Sequence, residues 1–178
     1  MILKLRSSKI SDIDKIYELQ LKCFSPNDAW YKTIIYEYIN TGLVIEHDNN
    51  IIGVLLEGEI TPCDKINNLL NNNEFKNDIY EPITEYGLSF YTNNLHYKQN
   101  YGIVMICIDE KYRGKKLAQK LILTHLNNNK NKQLCLLTRK TNISAYNLYL
   151  KMGYEHIANI KNKYYLPDED AIFMILNN

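Results

Sequence analysis

The segment 103–126 most constrains what this chain can fold into. Its first six residues, Ile103-Val104-Met105-Ile106-Cys107-Ile108, are apolar and rich in β-branched side chains, the composition of a buried strand. Lys111, Tyr112, Arg113 and Gly114 follow almost at once. Leu117, Leu121, Ile122 and Leu126 then recur at helical spacing, which predicts a helix over 115–127. Strand, short loop and helix in that order point to a helix packed on a sheet, an α/β or α+β domain. The same order sets a helix N-terminus, with its unpaired N–H groups and partial positive charge, beside Lys111, Arg113, Lys115 and Lys116. A phosphate or pyrophosphate there can accept several backbone hydrogen bonds, and Gly114 allows the backbone to come close. Neither G-x-x-x-x-G-K-[ST] nor G-x-G-x-x-G is present. A solvated lysine-rich first turn explains the same residues equally well, so this junction does not decide the function alone.

The rest of the chain supplies partners for that unit. Residues 2–6 alternate like a short strand, and Ile13, Ile16, Tyr17, Leu21 and Phe24 predict a helix over 12–23. Ser11 with Asp14 resembles a capping box at its start. Ser25-Pro26-Asn27-Asp28 breaks the helix, and Trp30, Ile34 and Tyr38 indicate a second, shorter one. Residues 43–46 and 51–56 flank Asp48-Asn49-Asn50 as a hairpin. Residues 65–78 are rich in Asn and Lys and fit either an inserted helix or a loop. The tyrosine-rich stretch 83–101 has no clean period. A strand over 133–138, a helix over 144–152 closed by Gly153, and antiparallel strands over 155–160 and 171–176 complete the chain. The result is an α/β (α+β) domain with a central mixed sheet.

Composition narrows the class. A length of 178 residues and 46% hydrophobic content suit one domain with a full core. A net charge of +1 provides no overall field for nucleic acid. Cys23, Cys63, Cys107 and Cys135 lie far apart with no C-x-x-C pair, which argues against a zinc site or disulfide framework and for a reducing interior. Cys107 and Cys135 fall in apolar runs, where packing is the expected role. His47, His96, His125 and His156 show no metal or triad spacing and are expected at the surface or in packing. Charges interrupt the N-terminal MILKLRSSKI too early for a signal peptide, and no apolar run is long enough to span a bilayer. A cytoplasmic protein with no membrane partner is expected.

Two segments resemble the GNAT family of acetyl-CoA-dependent N-acetyltransferases. Tyr112-Arg113-Gly114-Lys115-Lys116-Leu117-Ala118 is similar to the family's phosphate-binding [Q/R]-x-x-G-x-[G/A], with Arg113 and Ala118 in place. It departs at Lys116, where the family has Gly. Asn142-Ile143-Ser144-Ala145-Tyr146-Asn147-Leu148-Tyr149-Leu150-Lys151-Met152-Gly153-Tyr154 resembles N-x-x-A-x-x-[L/F]-Y-x-x-x-G-[F/Y] at every fixed position. The likeness is strongest over 103–154. It implies one GNAT domain over 1–178, with an insertion at about 58–101, and a mostly antiparallel mixed sheet splayed between its fourth and fifth strands.

The resemblance also implies roles. Acetyl-CoA would lie between the strands 104–108 and 133–138, with its pantetheine arm on backbone groups of Ile106 and Ile108 and its diphosphate on Arg113 to Ala118. A backbone N–H at Cys107 would face the thioester oxygen. Asn142 and Ala145 match cofactor-contacting positions, and Tyr149 matches the residue that often protonates the departing thiolate. The segment Asn162 to Ile172, with Tyr164-Tyr165 and Glu169-Asp170-Ala171, looks like a stretch of N-terminal protein acetyltransferases, including the ribosomal-protein alanine type. There the paired tyrosines line the peptide groove, and Phe24, Ser25, Pro26 and Tyr31 correspond to the groove's other wall. Leu137 fills the slot where such relatives often carry Glu or His, leaving Glu85, His96, Tyr101 and Tyr164 as candidate bases.

Three functions are therefore expected, in order. The first is acetylation of a protein N-terminal α-amine by a monomer or homodimer. The second is acetylation of a polyamine or amino sugar in an acidic pocket built from Glu57, Glu59, Glu81 and Glu85. The third is a catalytically silent acyl-CoA-binding module.

Overall fold

Eight consecutive buried residues, 51–58, anchor one half of the protein. A strand buried along its whole length needs cover on both faces, and the flanking helices provide it. The computed structural model describes residues 2–26, 28–60, 78–80, 100–165 and 169–176, with side chains left undescribed at 78–80, 100 and 161–165. These residues group into two compact units, Met1–Gly58 with Ile103–Asn131, and Glu59–Gly102 with Lys132–Asn178.

The first unit contains β1 (Lys4–Ser7), α1 (Ile13–Cys23), α2 (Lys32–Tyr38), β2 (Leu43–His47), most of β3 (Asn50–Ile60), most of a strand at Asn100–Ile108, and a helix at Leu117–Asn128. β1 pairs antiparallel with β2, and β2 with β3. The β2–β3 connection is tighter than the expected three residues. Asp48 and Asn49 form the turn, both at positive φ, the geometry of a two-residue hairpin whose twist matches its strands. Ile16 and Leu19 of α1 and Ile35 of α2 pack with Val44, Val54, Leu56 and Met105 in one apolar cluster.

Asp12 changes how α1 begins. The expected capping box of Ser11 and Asp14 does not form. A 3-10 turn at Ile10–Asp12 precedes the helix, and Asp12 Oδ2 accepts from the Lys9 backbone N–H at 2.9 Å. Arg6 draws Asp12 inward through Nη1 to Oδ2 at 2.6 Å and Nη2 to Oδ1 at 2.9 Å, and donates through Nε to Glu46 at 2.8 Å. Asp14 is left exposed, in a 2.6 Å pair with Lys32. The Arg6 hydrogen bond holds the Asp12 carboxyl below its ordinary value of 3.8. A lowered folded pKa contributes stability above the unfolded value that is lost as pH falls through the folded one. Asp12→Asn is thus expected to cost about 2 kcal/mol at pH 7, and the difference from wild type should shrink below about pH 4. Urea titrations at pH 7 and pH 3 check this, and an unchanged difference at both would refute it.

The second unit holds β4 (Asp78–Tyr80), the start of β5 (Asn100–Ile108), β6 (Leu134–Arg139), a helix at Ile143–Lys151, β7 (Glu155–Tyr165) and β8 (Glu169–Leu176). We number the helices α3 (Leu117–Asn128) and α4 (Ile143–Lys151). β8 lies between β6 and β7, antiparallel to both, so the expected pairing of the two terminal strands is found. Both extend beyond the ranges read from the sequence. β4 runs parallel to β7 and had no sequence signal. Met152 and Gly153 end α4, with Gly153 at φ +92° in the left-handed region where glycine pays least. The two expected strands 103–108 and 133–138 fall in different units. Of the insertion expected at about 58–101, residues 61–77 and 81–99 lie outside the described residues, and with them Cys63, Glu81, Glu85 and His96.

Candidate functional site

The loop between β5 and α3 is built from its backbone outward. β5 ends at Ile108, and Asp109 donates its N–H to Ile52 O at 2.9 Å, which carries the strand's path one residue further. The Asp109 side chain then accepts from the Lys111 N–H at 3.0 Å and starts a 3-10 turn at Glu110–Tyr112. Tyr112 is clamped from two sides. Its hydroxyl lies 3.1 Å from His47 Nδ1, and Lys115 Nζ sits 4.9 Å above its ring. Arg113 Nε donates to Ile108 O at 3.2 Å, tying the loop back to the strand it left.

Gly114 and Lys116 set the shape of the turn. Gly114 has φ +75°, and a Cβ there would meet nothing within 4 Å, so the space above it is open. Lys116 has φ +59° and is the N-cap of α3 without a side-chain capping bond. A left-handed conformation costs an L-residue roughly 1–2 kcal/mol, which gives a physical reason for glycine in the family motif at this place. Lysine accepts the same geometry here. The helix accordingly begins at Leu117, two residues later than expected, and Lys115 and Lys116 belong to the loop. Lys120 donates to the Lys116 carbonyl at 3.1 Å. The N–H groups of Leu117, Ala118 and Gln119 precede that bond in the first turn, where helix geometry offers no intrahelical acceptor. Lys111, Arg113, Lys115 and Lys116 are all exposed around them. Open space, first-turn amides and four cations suit a diphosphate.

Cys107 and its neighbours occupy the strand below. Cys107 is buried, as expected. Phe24, half-buried, leaves α1 in an extended conformation, and Ser25 and Pro26 are exposed. The α1–α2 connection is fixed by a residue that carried no signal in the sequence. Gln20, fully buried, accepts from the Trp30 N–H at 2.8 Å and donates to the Trp30 carbonyl. Trp30 in turn packs on Tyr38 with ring centroids 5.6 Å apart. Tyr31 beside it is 75% exposed.

In the second unit, Asn142 is the N-cap of α4, its Oδ1 accepting from the Ala145 N–H at 3.1 Å. The cap accounts structurally for Asn142, while Ala145 contributes its backbone N–H. Tyr149 is buried, 5.9 Å from Tyr154 between ring centroids, and burial pushes its phenol above the ordinary value. Leu137 is half-buried in β6. Tyr101 is half-buried with Lys132 Nζ 3.9 Å above its ring. Tyr164 and Tyr165 lie on β7, their side chains outside the described residues. Glu169 at the start of β8 binds Arg139 at 2.7 Å and Thr141 N at 2.8 Å.

Glu57 and His125 form a buried polar pair. His125 takes the packing role, and Glu57 is buried against it, not open to a substrate pocket. His125 is fully buried on α3, hydrogen-bonded through Nδ1 to Glu57 Oε2. Asn129 Nδ2 donates to the same carboxylate oxygen and to the His125 carbonyl, each at 2.9 Å. Glu59 is exposed.

Residues 79–156 match the family model for the acetyltransferase (GNAT) domain. This stretch is similar to a GNAT acetyltransferase domain. The domain match supports an acyltransferase, and solved structures share the fold over nearly the whole length. The ribosomal-protein-S18-alanine N-acetyltransferase from Escherichia coli aligns at TM-score 0.68 and 14% identity, over 98% of this chain and 93% of that one. Arabidopsis thaliana NAA60 in complex with acetyl-CoA aligns at TM-score 0.72 and 12% identity, over 99% and 100%. Arabidopsis thaliana Naa50, bound to the bisubstrate analogue CoA-Ac-MVNAL, aligns at TM-score 0.70 and 13% identity, over the full length of both chains. No curated protein matches the chain in sequence. Among the described residues, no helix is long and apolar enough to cross a membrane.

Proposed function

We propose that the chain transfers an acetyl group from acetyl-CoA to a protein N-terminal α-amine. The observation that carries this is the β5–α3 loop, where Gly114 and the left-handed Lys116 open a helix N-terminus ringed by exposed cations. Residues Arg113 to Ala118 hold the diphosphate, and backbone groups of Ile106 and Ile108 hold the pantetheine arm. Asn142 and Ala145 support the cofactor through the first turn of α4. Bound acetyl-CoA supplies an activated acyl group. The Cys107 backbone N–H stabilises the negative charge that develops on the acyl oxygen. Tyr149 returns a proton to the departing sulfur.

The acceptor is argued from the groove walls and from chemistry. Phe24, Ser25, Pro26 and Tyr31 follow a helix end pinned by Gln20, and by the resemblance to N-terminal acetyltransferases Tyr164-Tyr165 would bind the substrate backbone. Naa50 and the S18-alanine enzyme, which share the fold, carry names that describe peptide or protein substrates. An α-amine with pKa about 7.7–8.0 is partly neutral at cellular pH, so Leu137 in place of a base is tolerated. A polyamine needs an acidic pocket, and Glu57 is already committed to His125 and Asn129. On this reading residues 1–178 would act as one domain, a cytoplasmic monomer or homodimer.

Acetyl-CoA at about 100 times its dissociation constant is expected to stabilise the protein by about 2.7 kcal/mol, read as a rise in melting temperature. Incubation with an N-terminal peptide library and with polyamines then separates the acceptors. Turnover of peptides alone supports the proposal, and turnover of polyamines alone overturns it. Binding without turnover of either identifies a silent acyl-CoA module.

A further inference from the structure

Three groups converge at the C-terminal end of α1. Cys23, the last residue of that helix, has its Sγ 3.5 Å from Ile108 O, to which the thiol donates. Arg113 Nε donates to the same carbonyl at 3.2 Å, so thiol and guanidinium share one acceptor. Cys107 lies on the adjacent strand, buried in the apolar cluster against which Cys23 packs. Cys23 is half-buried and Cys107 is buried. None of the roles assigned to the acetyl transfer uses either sulfur.

The two thiols differ in the way a peroxide-reactive pair requires. The Cys107 hydrogen bond, aided by Arg113 and opposed by burial, brings the Cys23 thiol down to about 7. Cys107 moves the other way, raised by that same hydrogen bond and by burial, with Asp109 adding to the rise and Arg113 opposing it. The more accessible sulfur is thus the one that ionises near neutral pH, and the thiolate is the reactive form. Cys135, by contrast, is buried alone in β6 and pushed up to about 12 by burial.

We propose that Cys23 and Cys107 are a peroxide-oxidisable pair, in which Cys23 is oxidised first and Cys107 resolves it to a disulfide. In the first step the Cys23 thiolate attacks one oxygen of a hydroperoxide. An S–O bond forms and the O–O bond breaks. The sulfur loses two electrons, and the peroxide leaves as hydroxide or alkoxide. In the second step Cys107 Sγ attacks Cys23 Sγ. The S–S bond forms, the S–O bond breaks, and the oxygen departs as water with the Cys107 proton. A small thiol restores both cysteines by exchange. The disulfide ties the last turn of α1 to β5 within the first unit.

The test uses the intact protein and hydrogen peroxide, read by mass and thiol labelling independently of acetyl transfer. The expected product is a Cys23–Cys107 cross-linked peptide that disappears on addition of dithiothreitol. Iodoacetamide labelling of Cys23 should fall at least tenfold after peroxide. Cys107→Ser should stop at a dimedone-trapped sulfenic acid on Cys23, and Cys23→Ser should leave Cys107 unoxidised. If peroxide leaves Cys23 fully alkylatable, or if Cys23 pairs with another cysteine, the proposal fails. The wild-type measurement alone decides this even where a variant folds poorly.

Discussion

Glu57→Ala is expected to destabilise the protein by about 3–5 kcal/mol. Glu57 has an 8% exposed side chain and His125 none exposed, so both are withdrawn from water. Their hydrogen bond and the two from Asn129 satisfy groups whose desolvation is costly. Alanine removes the shared acceptor and leaves the imidazole and the amide facing a void. For a chain of this length the loss corresponds to a fall of about 10 °C in melting temperature. Replacing both Glu57 and His125 with apolar residues of similar volume should cost less, because no buried imidazole is then stranded and Asn129 keeps its bond to the residue-125 carbonyl. Urea unfolding of the single and double variants checks the pair. A single variant within 1 kcal/mol of wild type would show that the cluster is hydrated or weakly coupled.

Tyr149→Phe is expected to lower kcat for acetyl transfer by about 100-fold or more, the range for loss of a general acid, with little change in KM for acetyl-CoA. Burial raises the Tyr149 phenol above its ordinary value, so it stays protonated through neutral and alkaline pH. A raised pKa keeps the donor form available, and Tyr149 should introduce no falling limb in the rate profile below about pH 10. The variant retains the ring packed against Tyr154, so stability should hold within about 1 kcal/mol. Full activity in the variant would reduce Tyr149 to a packing residue of α4 and remove it from the mechanism. Steady-state kinetics across pH 6–10 with a reactive peptide distinguishes the two.

How much of this was legible depended on sequence distance. Helices α3 and α4 and the β2–β3 hairpin announce themselves through local periodicity and turn residues; both helices lie within two residues of the expected ranges, while β3 runs four residues further, to Ile60. The start of α3 was misplaced because lysine is a good helix former, while the structure holds Lys116 left-handed. The cap of α1 moved from Ser11 to Asp12 because Arg6, from a different element, claims that carboxylate. The pairing of Glu57 with His125 joins residues 68 apart, and Cys23 meets Ile108 across 85. No local pattern encodes such contacts. β4, three residues long and parallel to β7, has too short a run to show a period. The β5–α3 junction was legible because its pattern is local: a strand end, a glycine and cations within a few positions.

The way the chain alternates between its two units bears on how it is made. The first is completed only when Ile103–Asn131 joins Met1–Gly58, and the second only when Lys132–Asn178 joins Glu59–Gly102. Neither nucleus can close from one continuous stretch, so a high contact order and slow assembly follow. During synthesis, β3 with its eight buried residues must wait for β5 to emerge from the ribosome before its open edge is paired. Truncations ending before residue 103 would therefore release an aggregation-prone fragment and not a smaller folded protein.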